Sequence, residues 1–175
     1  MVLDGNSIIN RAYYGVRPLT TRDGFFTHAI FGFLTMLGRL LDEEKPEALD
    51  RREPTFRHLE YEGYKATRHA MPEELAMQMP VLKDVLDAMN IPRYELAGFE
   101  ADDLIGTISR KCESAGWDCV VATGDKDSLQ LVTEHTTVKL ISTRMGQTTT
   151  KDMTETAFQE QYGFAPIHMI DLKAL

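Results

Sequence analysis

Gly98-Phe99-Glu100-Ala101-Asp102-Asp103 opens the stretch that decides the fold, and Asp118-Cys119-Val120-Val121-Ala122-Thr123 with Gly124-Asp125-Lys126-Asp127 closes it. Between the two, Leu104, Ile105, Ile108 and Cys112 recur at helical spacing, which predicts a helix over residues 101–115 with one apolar stripe. The short apolar run 118–123 then predicts a buried strand, and it ends on acids. One acid at a helix start needs no special account, because it offsets the positive end of the helix dipole. Three acids in four residues repel one another, and a single cap would suffice. The pattern therefore calls for a cation among Glu100, Asp102 and Asp103, with Asp125 and Asp127 arriving from the next strand.

Outward from this centre the same alternation continues. Met1-Val2-Leu3 reads as the end of a buried strand with Asp4 at its tip. Asn6 or Ser7 is placed to cap a short helix that runs to Tyr14. A longer helix is expected over 26–44, with Ile30, Phe33, Leu34, Leu37, Leu40 and Leu41 on its core face. Pro72-Glu73-Glu74 opens a further helix, since proline suits a first turn, and its Met79 and Met89 read as core filler. A short strand is expected at 92–96 and another at 137–142. Asp127 or Ser128 would cap a short helix to Val132, and 154–162 and 166–175 read as helical. Strands that are short apolar runs between helices imply an α/β fold with a mostly parallel sheet. Ligands of such sheets bind beyond the C-terminal strand ends, where Asp4, Asp50, Glu100, Asp102, Asp103, Asp125 and Asp127 would converge. A set of oxygen donors without Cys or His suits Mg²⁺ or Mn²⁺. A pair of such ions about 4 Å apart serves in-line phosphoryl displacement.

Composition narrows the alternatives. A net charge of −8 excludes a uniformly basic nucleic-acid-binding surface. Local basic character appears only at 51–69, where Arg51, Arg52, Arg57, Lys65 and Arg68 interleave with Phe56, Tyr61 and Tyr64. That segment reads either as a solvated helix or as a nucleic-acid contact. Cys112 and Cys119 lack metal-type spacing and fit small buried hydrophobes of a reduced, cytoplasmic protein. The apolar stretch 25–41 is broken by Thr27, His28, Thr35, Gly38 and Arg39, short of the ~18-residue run of a membrane span. No Gly-rich phosphate loop is present.

Five motifs in order, Asp4-Gly-Asn-Ser, Pro54-Thr-Phe-Arg-His, Tyr64-Lys-Ala-Thr-Arg68, Gly98-Phe-Glu-Ala-Asp-Asp103 and Thr123-Gly-Asp-Lys-Asp127, resemble the 5′-nuclease domain of bacterial DNA polymerase I, of the flap-endonuclease, PIN-like superfamily. The resemblance spans nearly the whole chain. It implies a PIN-like/resolvase-like α/β fold with a basic helical arch at about 51–71. It implies a monomeric, nucleoid-associated enzyme that cleaves 5′ flaps and 5′ ends of DNA in primer removal and repair, using two or more Mg²⁺ or Mn²⁺ ions. By the same resemblance Asp4, Asp50, Glu100, Asp102, Asp103, Asp125 and Asp127 hold metal. Lys65 and Arg68 stabilise the scissile phosphate, with Asp125 counted in the catalytic set. DNA contacts fall to Arg11, Arg57, His58, Tyr64, Lys65 and Arg68. A stand-alone 5′-3′ exonuclease of the same fold and a non-catalytic DNA-structure-binding fragment are the alternatives. Three departures stand out. The start is short, with three residues before Asp4. Only Ala48 and Leu49 precede Asp50, whereas a buried strand runs to about five residues, so residues are expected to be missing there. The sequence also ends at Leu175, ahead of the family's Gly-Asp-x-Ser-Asp-Asn ligands and helix-hairpin-helix, so the isolated chain is expected to cleave weakly.

Overall fold

Val2–Leu3 (β1), Cys119–Thr123 (β2), Thr136–Arg144 (β3) and Gln147–Met153 (β4) form one sheet in that order. The computed structural model describes residues 1–45, 71–96, 98–144 and 147–174. β1 and β3 both run parallel to β2, with Leu3 opposite Ala122 and Thr123 opposite Leu140. β4 returns antiparallel along β3. The mostly parallel α/β sheet expected from the sequence is therefore present. Asp50, Arg57, His58, Tyr64, Lys65 and Arg68, with the arch and the shortened run before Asp50, lie outside the described residues.

Alternating strand residues supply two cores. Ala122 and Ile141 face Gly5–Gly15 (α1), His28–Glu44 (α2) and Gln78–Ala88 (α4), against Ile8, Phe33, Leu37, Leu82 and Leu86. Val121, Val138 and Met153 face Ala101–Ser114 (α5) and Glu155–Tyr162 (α6), against Ile105, Cys112 and Phe158. A strand buried on both faces has no room for polar alternation, which is why β2 reads as an unbroken apolar run. α1 and α2 meet at Gly32, where a Cβ would lie 2.9 Å from the Ala12 Cβ. Glycine is the residue that lets two helix backbones come this close.

Several expectations are corrected. Asp4, not Asn6 or Ser7, caps α1: its Oδ1 accepts the Ser7 N–H at 2.9 Å. Likewise Asp125, not Asp127 or Ser128, caps the 3-10 turn Lys126–Leu131. The helix opened by Pro72 is two, Glu73–Ala76 (α3) and α4, broken at Met77. Residues 92–96 form no strand; Arg93 there bonds both Asp87 and Glu95 through its side chain. The chain ends in a 3-10 turn, Pro166–His168, and the helix Met169–Ala174 (α7).

α2 starts without help from its own cap residue, for Thr27 makes no side-chain cap bond. Gln78, from α4, does that work. Fully buried, it accepts from the Ala29 and Ile30 N–H groups at 2.9 and 3.3 Å and donates to the Glu74 carbonyl at 2.7 Å. Gln78→Leu strands two helix N–H donors in the core, so the expected loss is about 1–3 kcal/mol. Urea unfolding should show a lower midpoint at an unchanged m-value.

Candidate active site

Because β1 and β2 are parallel neighbours, Asp4 and Asp125 emerge at the same sheet edge. Thr123 fixes both. Its buried hydroxyl donates to Asp4 Oδ2 at 2.8 Å and accepts the Asp125 N–H at 3.0 Å. Asp4 is itself buried, with one oxygen held by Thr123 and the other by the α1 N-terminus. The Asp127 N–H donates to Asp125 Oδ1 at 2.9 Å, which orients the second carboxylate. These bonds fix the orientation of both carboxylates at the sheet edge.

α5 brings the others. Asp103 turns back to accept the Glu100 N–H at 3.4 Å, the helix-start role available to such an acid. Asp102 stands at the surface of the acid group, and its carboxyl is raised above its ordinary value. Protein packed on its inner side desolvates it, and the charges of Asp4, Asp125, Glu100 and Asp127 push the same way. Five of the seven acids singled out in the sequence are thus brought close enough to feel one another, and Asp103 sits beside them on α5. Asp50 lies outside the described residues.

Arg11 belongs to the same edge. Its guanidinium donates to the Gly124 carbonyl, and a side chain at Gly124 would collide with it. Ser7, one turn earlier, accepts the Gly124 N–H at 3.0 Å. α1 therefore grips both polar groups of Gly124, immediately before Asp125. Ser7 and Thr123 are site residues that sequence reasoning missed as such; their positions inside the Asp4-Gly-Asn-Ser and Thr123-Gly-Asp-Lys-Asp127 motifs were the available signal.

The donor set is all oxygen and strongly negative, which fits a hard divalent cation. Among the described residues no three carboxylates close to a common coordination shell. That spacing is compatible with Mg²⁺, which keeps much of its water and takes one or two protein carboxylates directly. The cavity beside Asp127, lined also by Gln130, Met169 and Ile170, has a volume of about 120 Å³. No described helix is long and apolar enough to cross a membrane.

Residues 1–163 match the family described as 5′-3′ exonuclease, N-terminal resolvase-like domain. DNA polymerase I of Bacillus subtilis is 41% identical over 179 residues, that of Caldicellulosiruptor bescii 40% over 179, and that of Mycobacterium leprae 42% over 181. Each alignment takes in the whole of this chain but only 20–21% of the relative. The chain thus spans about a fifth of those proteins. The alignments are longer than the chain's 175 residues, so the relatives carry a few residues with no counterpart here. The T5 D15 protein, crystallised with metal ions, superposes with a TM-score of 0.66 at 20% identity, over 99% of this chain and 65% of that one. That likeness supports the PIN-like fold. With a family match over nearly its whole length, the chain belongs to the 5′-3′ exonuclease N-terminal, resolvase-like domain family.

Proposed function

We propose that the chain is the N-terminal part of a divalent-metal-dependent 5′-3′ exonuclease and 5′-flap endonuclease that hydrolyses DNA phosphodiesters, in the setting of a DNA polymerase I. The observation that carries this reading is the gathering of Asp4, Glu100, Asp102, Asp125 and Asp127 at one edge of a parallel sheet, close enough for their charges to act on Asp102. Carboxylates held together against their own repulsion are suited to a cation. Asp4, Asp102 and Asp125 would hold Mg²⁺ or Mn²⁺, with Glu100, Asp127, Asp103 and Asp50 completing or orienting the set. Bound there, the metal supplies charge for the phosphoryl oxygens and a nucleophile at neutral pH. The chain's own residues position the DNA: Arg11 at the Gly124 turn, and Arg57, His58, Tyr64, Lys65 and Arg68 from the basic segment. Lys65 and Arg68 stabilise charge as it develops on the scissile phosphate.

A second reading, binding to DNA junctions without cleavage, draws support from the open spacing of the described carboxylates. One assay separates the two. A complete nuclease domain that contains this chain is incubated with 5′-labelled flap DNA in Mg²⁺ and in EDTA. Release of the labelled flap in Mg²⁺ alone is the expected result. Flap binding without cleavage in either Mg²⁺ or Mn²⁺ favours the second reading.

A further inference from the structure

Among the described residues, Tyr14 is the most exposed of the large apolar side chains, at 73%. It packs edge-to-face on Tyr13 with ring centroids 4.9 Å apart, and Tyr13 turns the other way, toward His28 and Glu74. An exposed aromatic is unremarkable by itself. Its place on α1 is not. Ser7, Arg11 and Tyr14 are separated by four and three residues, which sets them on one helical face. The first two hold the Gly124 N–H and carbonyl, next to Asp125. At 1.5 Å of rise per residue, Tyr14 stands about 4.5 Å along the axis beyond Arg11. Single-stranded nucleic acid is bound by cationic side chains that track its backbone beside aromatic rings on which its bases stack.

We propose that Tyr14 is a stacking platform for a nucleobase of the strand whose backbone passes Arg11 and the acid cluster. This rests on the nuclease reading and adds a positioning residue to it. Stacking is tolerant of sequence because every base has a π-face. Tyr14 would therefore favour an unpaired, base-bearing strand without selecting which base.

Dissociation constants are measured in EDTA for a 5′-flap duplex with an oligo-thymidine flap and for the same duplex with an abasic flap. Tyr14→Ala should weaken the base-bearing complex roughly tenfold, Tyr14→Trp should restore it, and neither should change affinity for the abasic flap. Melting temperatures should agree among the three proteins, since the side chain is exposed. Affinity of Tyr14→Ala within twofold of wild type, or an equal loss on the abasic flap, overturns the proposal and leaves the nuclease reading standing. A wild-type protein that binds neither flap overturns that reading, and the platform with it.

Discussion

In a complete nuclease domain, Asp125→Asn should lower the rate of flap cleavage in Mg²⁺ by about a thousandfold or more while leaving flap affinity within a few-fold. The substitution is close to isosteric, and the amide oxygen still accepts the Asp127 N–H that Asp125 Oδ1 takes at 2.9 Å. The local turn therefore survives and only the charge is lost. A metal anchor contributes several kcal/mol of transition-state stabilisation, and about 4 kcal/mol corresponds to that thousandfold. Binding depends instead on phosphate contacts made by cationic side chains, which the change leaves alone. Single-turnover cleavage and equilibrium binding of the same flap substrate separate the two. Cleavage near the wild-type rate would remove Asp125 from the catalytic set.

Lys139→Met should be strongly destabilising although it lies away from the site. Lys139 is 5% exposed, on β3, and its ammonium meets Asp152 at 2.7 Å, Glu44 at 2.9 Å and Glu43 at 3.5 Å. Asp152 is its cross-strand neighbour on β4, and the two glutamates end α2. One side chain thus ties the last turn of α2 to the sheet. Removing it leaves three carboxylates facing one another over an apolar stub. Breaking a buried pair from one side costs ~3–5 kcal/mol; the lower end applies because Asp152 remains 56% exposed and screened by water. Thermal unfolding should fall by roughly 6–12 °C for about 3 kcal/mol in a chain of this size. The pH dependence has a definite sign. Burial lowers the Lys139 pKa, but the bonds to Asp152 and Glu44 outweigh it and the net shift is upward from 10.5. The stabilisation is therefore complete below that value and lost only as pH rises above it. A wild-type melt that is level from pH 7 to 9 and declines above pH 10.5, more steeply than that of Lys139→Met, would match this.

How much of this could be read in the chain depends on what each segment has to satisfy. β2, α5 and the core face of α2 were legible because burial forces a period on their apolar residues. β4 was not: Gln147-Thr-Thr-Thr-Lys-Asp-Met153 is an edge strand with most side chains in water, so its composition resembles a loop, and only pairing with β3 makes it a strand. Residues 92–96 erred the other way. Ile91, Tyr94 and Leu96 supply strand-like character, yet among the described residues no neighbouring strand pairs with the segment, and its Arg93 bonds Asp87 and Glu95 instead. The caps were misassigned for a reason tied to the site. Asp4 and Asp125 serve as cap and as site acid together, and a neighbouring Asn, Ser or Asp looks equally able from sequence. Gln78 and Lys139 were invisible because the helix N–H groups that Gln78 caps lie 49 and 48 residues away and the glutamates that Lys139 pairs lie 96 and 95 residues away. Asp4 and Asp125 were legible as neighbours from strand ends, since parallel neighbours must deliver their C-terminal residues to one edge, whereas Glu100, Asp102 and Asp103 come from the start of α5 with no strand at 92–96 to deliver them.

The claim that these carboxylates form a single cation site is tested most directly by calorimetric titration of Mn²⁺ into the wild-type protein and into Asp102→Asn, at neutral pH. Asp102 is the acid on which Asp4, Asp125, Glu100 and Asp127 all act. Wild-type binding with at least a tenfold loss in Asp102→Asn is the expected result. Equal Mn²⁺ affinity in the two proteins, or no binding to the wild type, would contradict it.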